Sequence, residues 1–388
     1  MRTVITAKRL LNGGRIVSNP VVVIEDNRIA SLDSREAESL PTSAQHIDLP
    51  NATLAPSFFD VHIHGAAGHD VMEGTPDALN AVGSFLATRG TASYLATTVT
   101  ATVDATLRAV EGIAKRIASA PIPGQAQPIG IHLEGPFLSH AKRGVHPPDL
   151  LLAPDISLFD RIFDAAEGRV RLITLAPELP GAAELAAHAS ARGVRVSVGH
   201  SDATAADTKK TIGAGAVSAT HTFNAMRPLD HREPGILGTV LTNKSLFAEL
   251  ICDGIHTAPE LVQLWWSAKG PERGILITDG MSATGMSDGT YQLGGFSVEV
   301  AHGRAMANGV LAGSVLTLDR ALTNFILFTG ASLDDGLRLL TANPAAMTGL
   351  TEHSGAITAG GAANLVAVDD SGGLLASFVQ GKLAHSWT

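Results

Sequence analysis

Cysteine is almost missing from this chain of 388 residues: Cys252 is the only one. One thiol closes no internal disulfide and builds no thiolate cage around zinc, so any metal here must rest on histidine and carboxylate. Cys252 ends the apolar run "LFAELIC" and reads as a small core residue rather than a nucleophile. Basic runs are missing too. Lys and Arg total 28 against 37 Asp and Glu, a formal net charge of −9, and no stretch could track a phosphate backbone, which argues against a nucleic-acid partner. No apolar stretch approaches the ~18 residues that span a bilayer, so no membrane segment is expected. The opening "MRTVITAKRLLNGG" carries Arg2, Lys8 and Arg9 and lacks the apolar segment and cleavage site of a secretory signal, which points to a cytoplasmic protein.

What is present is alternation. Residues 3 to 50 run in short apolar–polar strands, broken by Gly13-Gly14 and Asn19-Pro20, and a similar texture returns near the end in "SGAITAGGAANLVAVDDSGGLLASFVQGKLAHS". The two ends are expected to pair into one small β-sandwich domain, residues 1–54 and 356–388. Between them, eight β-like runs alternate with helical ones, from "TLAPSFFDVHIH" to "GILITDG". Eight strands, most of them followed by a helix, within about 300 residues predict a (β/α)8 barrel over residues 55–355, in preference to an open doubly wound sheet. After "AVSATH" the segment "NAMRPLDHREPGILG" reads as a long loop on the face where such barrels keep their active sites.

The ends of these runs carry the chemistry. His62 and His64, in "FFDVHIHG", are two apart and so share a strand face. Glu134 closes "PIGIHLEG", His200 closes "VRVSVGH", His221 closes "AVSATH" and Asp279 closes "GILITDG". Each polar group ends a row that points into the barrel at its C-terminal mouth. Six imidazole and carboxylate ligands suffice for one or two divalent ions; zinc is the commonest choice, with iron, manganese and cobalt as alternatives. His132, two before Glu134, is either packed in the interior or a support for the ligands.

Nine ordered stretches resemble the N-acetylglucosamine-6-phosphate deacetylases of the amidohydrolase superfamily: "FDVHIHG", "GIHLEGPF", "KRGVHPP", "VSVGHSDAT", "THTFNAMRPL", "REPGILG", "DGIHT", "LITDGMSATG" and "LAGSVLTLDRA". They cover nearly the whole chain. Other members often bridge two metals with a carboxylated lysine, whereas "HLEGPF" puts Glu134 at that position. Asn364 departs from the Asp common in relatives, a difference that bears on the small domain.

The resemblance implies that Glu134, His200 and His221 hold the ion shared by all members, and that His62, His64 and Asp279, with Glu134 bridging, hold a second. It implies that Asp279 takes a proton from the attacking water and passes it to the departing amine, while His146 orients the substrate carbonyl. It places Asn224, the backbone of Ala225 and His256 on the sugar phosphate, with Arg232 reaching into the active site of a neighbouring subunit, hence a homodimer. The expected reaction is removal of the acetyl group from N-acetylglucosamine 6-phosphate, in amino-sugar catabolism and cell-wall recycling. The alternatives are another N-acyl sugar phosphate, such as N-acetylgalactosamine 6-phosphate, and a non-catalytic sugar-phosphate binder.

Overall fold

The structure, a computed structural model, describes residues 2–34 and 44–386. Its centre is a parallel sheet whose strands lie side by side in chain order: β1 (Phe58–Ile63), β2 (Thr91–Thr98), β3 (Gln127–Glu134), β4 (Val170–Leu175), β5 (Arg195–Val198), β6 (Ala216–Ala219), β7 (Phe247–Ile251) and β8 (Gly274–Ile277). All eight coincide with the apolar runs. Every residue of β1, β2 and β8 is buried, as expected for parallel strands covered on both faces.

The first and last strands meet to close the barrel. Ile63 and Gly280 form a parallel bridge, and the Asp279 N–H donates to the His62 carbonyl at 2.9 Å. The His64 N–H returns the tie, donating to the Gly280 carbonyl at 2.8 Å. Closure therefore runs through the backbone of the residues expected to hold metal, and brings the two ends of a segment of more than 200 residues together.

Helices cover the barrel. The helix Pro76–Thr88 shows how: Thr75 accepts a hydrogen bond from the Ala78 N–H, proline occupies the first turn, and Leu79, Val82 and Leu86 turn one buried face inward. Full burial of each such side chain is worth roughly 1.5–3 kcal/mol. The segment after β6 is indeed a long loop, and the helix that follows begins only at Gly235.

The chain ends meet as expected. Five N-terminal strands, ending with Gln45–Pro56, join Leu365–Val368, Leu374–Val379 and Lys382–Ser386 in one eight-stranded mixed sheet. Thr53 to Pro56 pair antiparallel with Val368 to Leu365. The unit has its own core, including Ile5, Leu10, Ile24, Leu54, Leu365 and Phe378. Asn364 serves this unit, its Oδ1 accepting the Gln380 N–H at 2.8 Å.

One element escaped the reading of the sequence. Past β8, Gly289–Leu293, Phe296–Ala301, Arg304–Ala307 and Val310–Leu311 form a four-stranded antiparallel sheet whose Leu293, Val298 and Val300 share a small core with Met281 and Ala283. Its turn signals were there to be read: His302-Gly303 and Asn308-Gly309 both sit at positive φ, as two-residue hairpin turns require.

Candidate metal centre

The six expected ligands converge on the C-terminal mouth of the barrel. Oε1 of Glu134 lies 3.3 Å from His62 Nε2, 3.2 Å from His200 Nε2 and 3.0 Å from His221 Nε2. Its Oε2 lies 3.3 Å from His64 Nε2. Asp279 Oδ1 is 3.1 Å from His64 Nε2 and 3.4 Å from His62 Nε2. The ligand atoms divide into two groups, His62–His64–Asp279 and Glu134–His200–His221, each within 4.8 Å, with Glu134 between them. His200, His221 and Asp279 all adopt positive φ, which swings their side chains off the strand ends and into the mouth. Non-glycine residues held there cost free energy, and such strain clusters at functional sites.

The donor set fits a divalent ion. His62 Nδ1 faces Glu249 at 3.3 Å, His64 Nδ1 faces the Thr97 carbonyl at 3.0 Å, and His200 Nδ1 faces the Lys142 carbonyl at 3.0 Å. Each of these partners accepts, so each Nδ1 donates and each Nε2 is the atom that faces the centre, where its lone pair would meet an ion. His62 Nε2 is buried without a hydrogen bond. The Nε2 atoms of His200 and His221 stand only 3.0 Å apart, an arrangement that a shared cation would satisfy.

The electrostatics point the same way. Burial alone would raise Glu134, but His62 and hydrogen bonds from His146 and His221 hold it well below the usual carboxylate range. Asp279 is likewise pushed up by burial and pulled further down by His62 and His64. Both carboxylates are therefore ionised and ready to bind. Burial pushes His200 down to about 4, leaving a neutral imidazole. His62 and His64 are lowered by burial but raised more by Glu134 and Asp279, so without metal they carry the balancing protons that an ion would displace.

A cavity of about 420 Å³ opens over the cluster, and His146, Asn224, Ala225 and His256 line it. His146 Nδ1 accepts the Thr100 N–H at 3.4 Å and lies 2.8 Å from Thr100 Oγ1, which leaves its proton on Nε2, 3.5 Å from Glu134. Nδ2 of Asn224 is buried and has no partner. His256 Nδ1 pairs with Asp253 at 2.6 Å; burial lowers this imidazole, Asp253 raises it more, and the balance is upward. Arg232 stands apart. It is exposed in the loop after β6 and does not line its own chain's cavity.

The amidohydrolase family profile matches residues 53–384. The chain belongs to the amidohydrolase family. It is 35% identical to an N-acetylglucosamine-6-phosphate deacetylase of Bacillus subtilis, covering 97% of this chain and 95% of that one. It is 37% identical to an N-acetylgalactosamine-6-phosphate deacetylase of Escherichia coli O157:H7, over 99% and 100%. Among solved structures, it superposes with a TM-score of 0.91 and 34% identity on a variant N-acetyl-D-glucosamine-6-phosphate deacetylase from Mycobacterium smegmatis in complex with N-acetyl-D-glucosamine 6-phosphate, covering 99% and 100%. The family's metal-dependent chemistry agrees with the two ligand groups seen here.

Several residues at this amidohydrolase site were not singled out in the sequence. Thr100 fixes His146, and Leu293, Met306 and Leu311 from the antiparallel sheet wall the cavity. Glu249 stands behind His62. Its signal was a lone carboxylate inside the apolar run "LFAELIC". His132 is packed in the interior, 2.8 Å from Thr174 Oγ1 with its ring edge-on to His62. Cys252 is fully buried, and burial pushes its thiol up, so it stays protonated.

Proposed function

We propose that this protein hydrolyses the acetamide of N-acetyl-D-glucosamine 6-phosphate to D-glucosamine 6-phosphate and acetate. The observation that carries this reading is the cluster in which one ionised carboxylate, Glu134, lies between two groups of metal ligands beneath an open cavity. One or two divalent ions, zinc by preference, with iron, manganese or cobalt suited to the same donors, would supply an activated water and polarise the acyl carbonyl.

Asp279 then accepts a proton from the attacking water and delivers it to the amine as the C–N bond breaks. His146, with its proton on Nε2, donates to the carbonyl oxygen and steadies the charge that develops there. Asn224 Nδ2, the Ala225 N–H and His256 meet the 6-phosphate; the unpartnered Asn224 amide and the cationic bias of His256 support that role. Arg232, exposed and outside its own cavity, reaches the phosphate in the second subunit of a homodimer. A cytoplasmic setting suits a chain whose one thiol is buried and unpaired.

The galacto epimer is the second reading, because the Escherichia coli relative bears that name. The test is acetate release from both 6-phosphates by purified protein, before and after chelation and zinc readdition. Loss and return of activity, with higher kcat/KM on the gluco epimer, is the expected result. A preference for the galacto epimer would transfer the assignment to it, and activity untouched by exhaustive chelation would refute the metal chemistry.

A further inference from the structure

Glu249 lies in the middle of β7, points into the barrel interior and is completely buried. An ionisable group in such a place is expensive unless it is paired. The proposed reaction does not use it, and among the described residues no lysine or arginine forms an ion pair with it. Its Oε2 instead stands 3.3 Å from Nδ1 of His62 and 3.4 Å from the main-chain N–H of His221. One carboxylate thus touches a member of each ligand group.

Its partner on the first group is singular. The Nδ1 atoms of His64 and His200 face neutral carbonyls, and that of His221 has no hydrogen bond. Of the four ligand imidazoles, His62 alone has a carboxylate behind it. A neutral imidazole carries a single proton, so an acceptor at Nδ1 is what keeps the Nε2 lone pair pointed at a cation.

We propose that Glu249 is a positioning residue for the His62–His64–Asp279 ion: it accepts the Nδ1–H of His62 and thereby fixes both the tautomer and the orientation of that ligand. The idea rests on the metal reading above. Removing such a partner typically costs about 10–100-fold in metal affinity. The loss should fall on one ion, because Glu134, His200 and His221 keep their side-chain partners.

The test uses the full chain stripped of metal and titrated with Co2+ against a competing chelator. Bound metal and the visible absorption of cobalt are read together, and thermal melts of the metal-free proteins check the fold. Glu249→Leu fills the space without an acceptor, and Glu249→Gln keeps one. The parent should take two ions. Glu249→Leu should hold one ion as the parent does and the other about 10–100-fold more weakly, while Glu249→Gln should stay within about fivefold at both. Parent-like binding of both ions by Glu249→Leu would overturn the proposal, as would equal weakening of the two, or a Gln variant as weak as the Leu one. A parent that takes a single ion would remove the metal role of His62 itself, and this proposal with it.

Discussion

Asp279→Asn isolates the proton-carrying step. The backbone at this position should not notice the change: Asp279 sits at φ 51°, a region that asparagine tolerates as well as aspartate does, and its N–H and carbonyl are pinned at 2.9 Å by His62 and 2.7 Å by Ser314. Barrel closure is thus kept. The only other carboxylate lining the cavity is Glu134, among the described residues, and both its oxygens already face imidazoles. No second carboxylate is free to take over the proton. Loss of a positioned acid–base group should lower kcat about 10²–10⁴-fold, or about 3–5 kcal/mol in the barrier. Asparagine is also a weaker ligand beside His62 and His64, so the assay must be run at saturating metal, with occupancy measured. Steady-state acetate release gives kcat, and equilibrium binding of substrate gives Kd, which should move by no more than about threefold, because Asp279 acts on the reacting bond rather than on the phosphate. A kcat within about threefold of the parent at full occupancy would refute the role of Asp279, since the proton would then be carried by another group.

Two further substitutions probe the rest of the site. Arg232→Ala should raise KM about 10-fold or more for the 6-phosphate and leave the weak activity on unphosphorylated sugar alone, since a bidentate arginine–phosphate contact is lost; an unchanged KM, or an equal effect on both sugars, would remove the arginine from substrate binding. Gly135→Ala acts through His146: Gly135 has φ 93° and an added Cβ would strike Thr100 Oγ1, the atom 2.8 Å from His146 Nδ1. Turnover should fall by at least about 10-fold, with a loss of roughly 1–3 kcal/mol of stability by thermal melting; normal kinetics in a folded variant would show that Thr100 does not hold His146 in place.

The eight strands were readable because parallel strands buried on both faces leave uninterrupted apolar runs, and the candidate ligands stood out because each lies at or near the end of its run. The antiparallel sheet at 289–311 was harder. Its strands are short and exposed on one side, and it follows the last barrel strand, where the alternation that organises the rest of the chain has ended. Glu249 was hidden for a different reason, since one carboxylate in an apolar strand looks like an exception until the residue behind which it stands is known.

By itself, then, the sequence determined the barrel, the pairing of the two chain ends, and the six imidazole and carboxylate groups at the strand ends, all through local patterns of period and punctuation. The family resemblance implied how those groups divide, but only the tertiary structure brings them together, because the distances of about 3 Å between His62, Glu134, His221 and Asp279 exist only once the barrel closes. It also decided which nitrogen of each imidazole faces the cavity, a property set by partners such as Glu249, Thr97 and Lys142 that are far apart along the chain. Side-chain chemistry is a local property of the residue, whereas ligand geometry depends on closing the sheet.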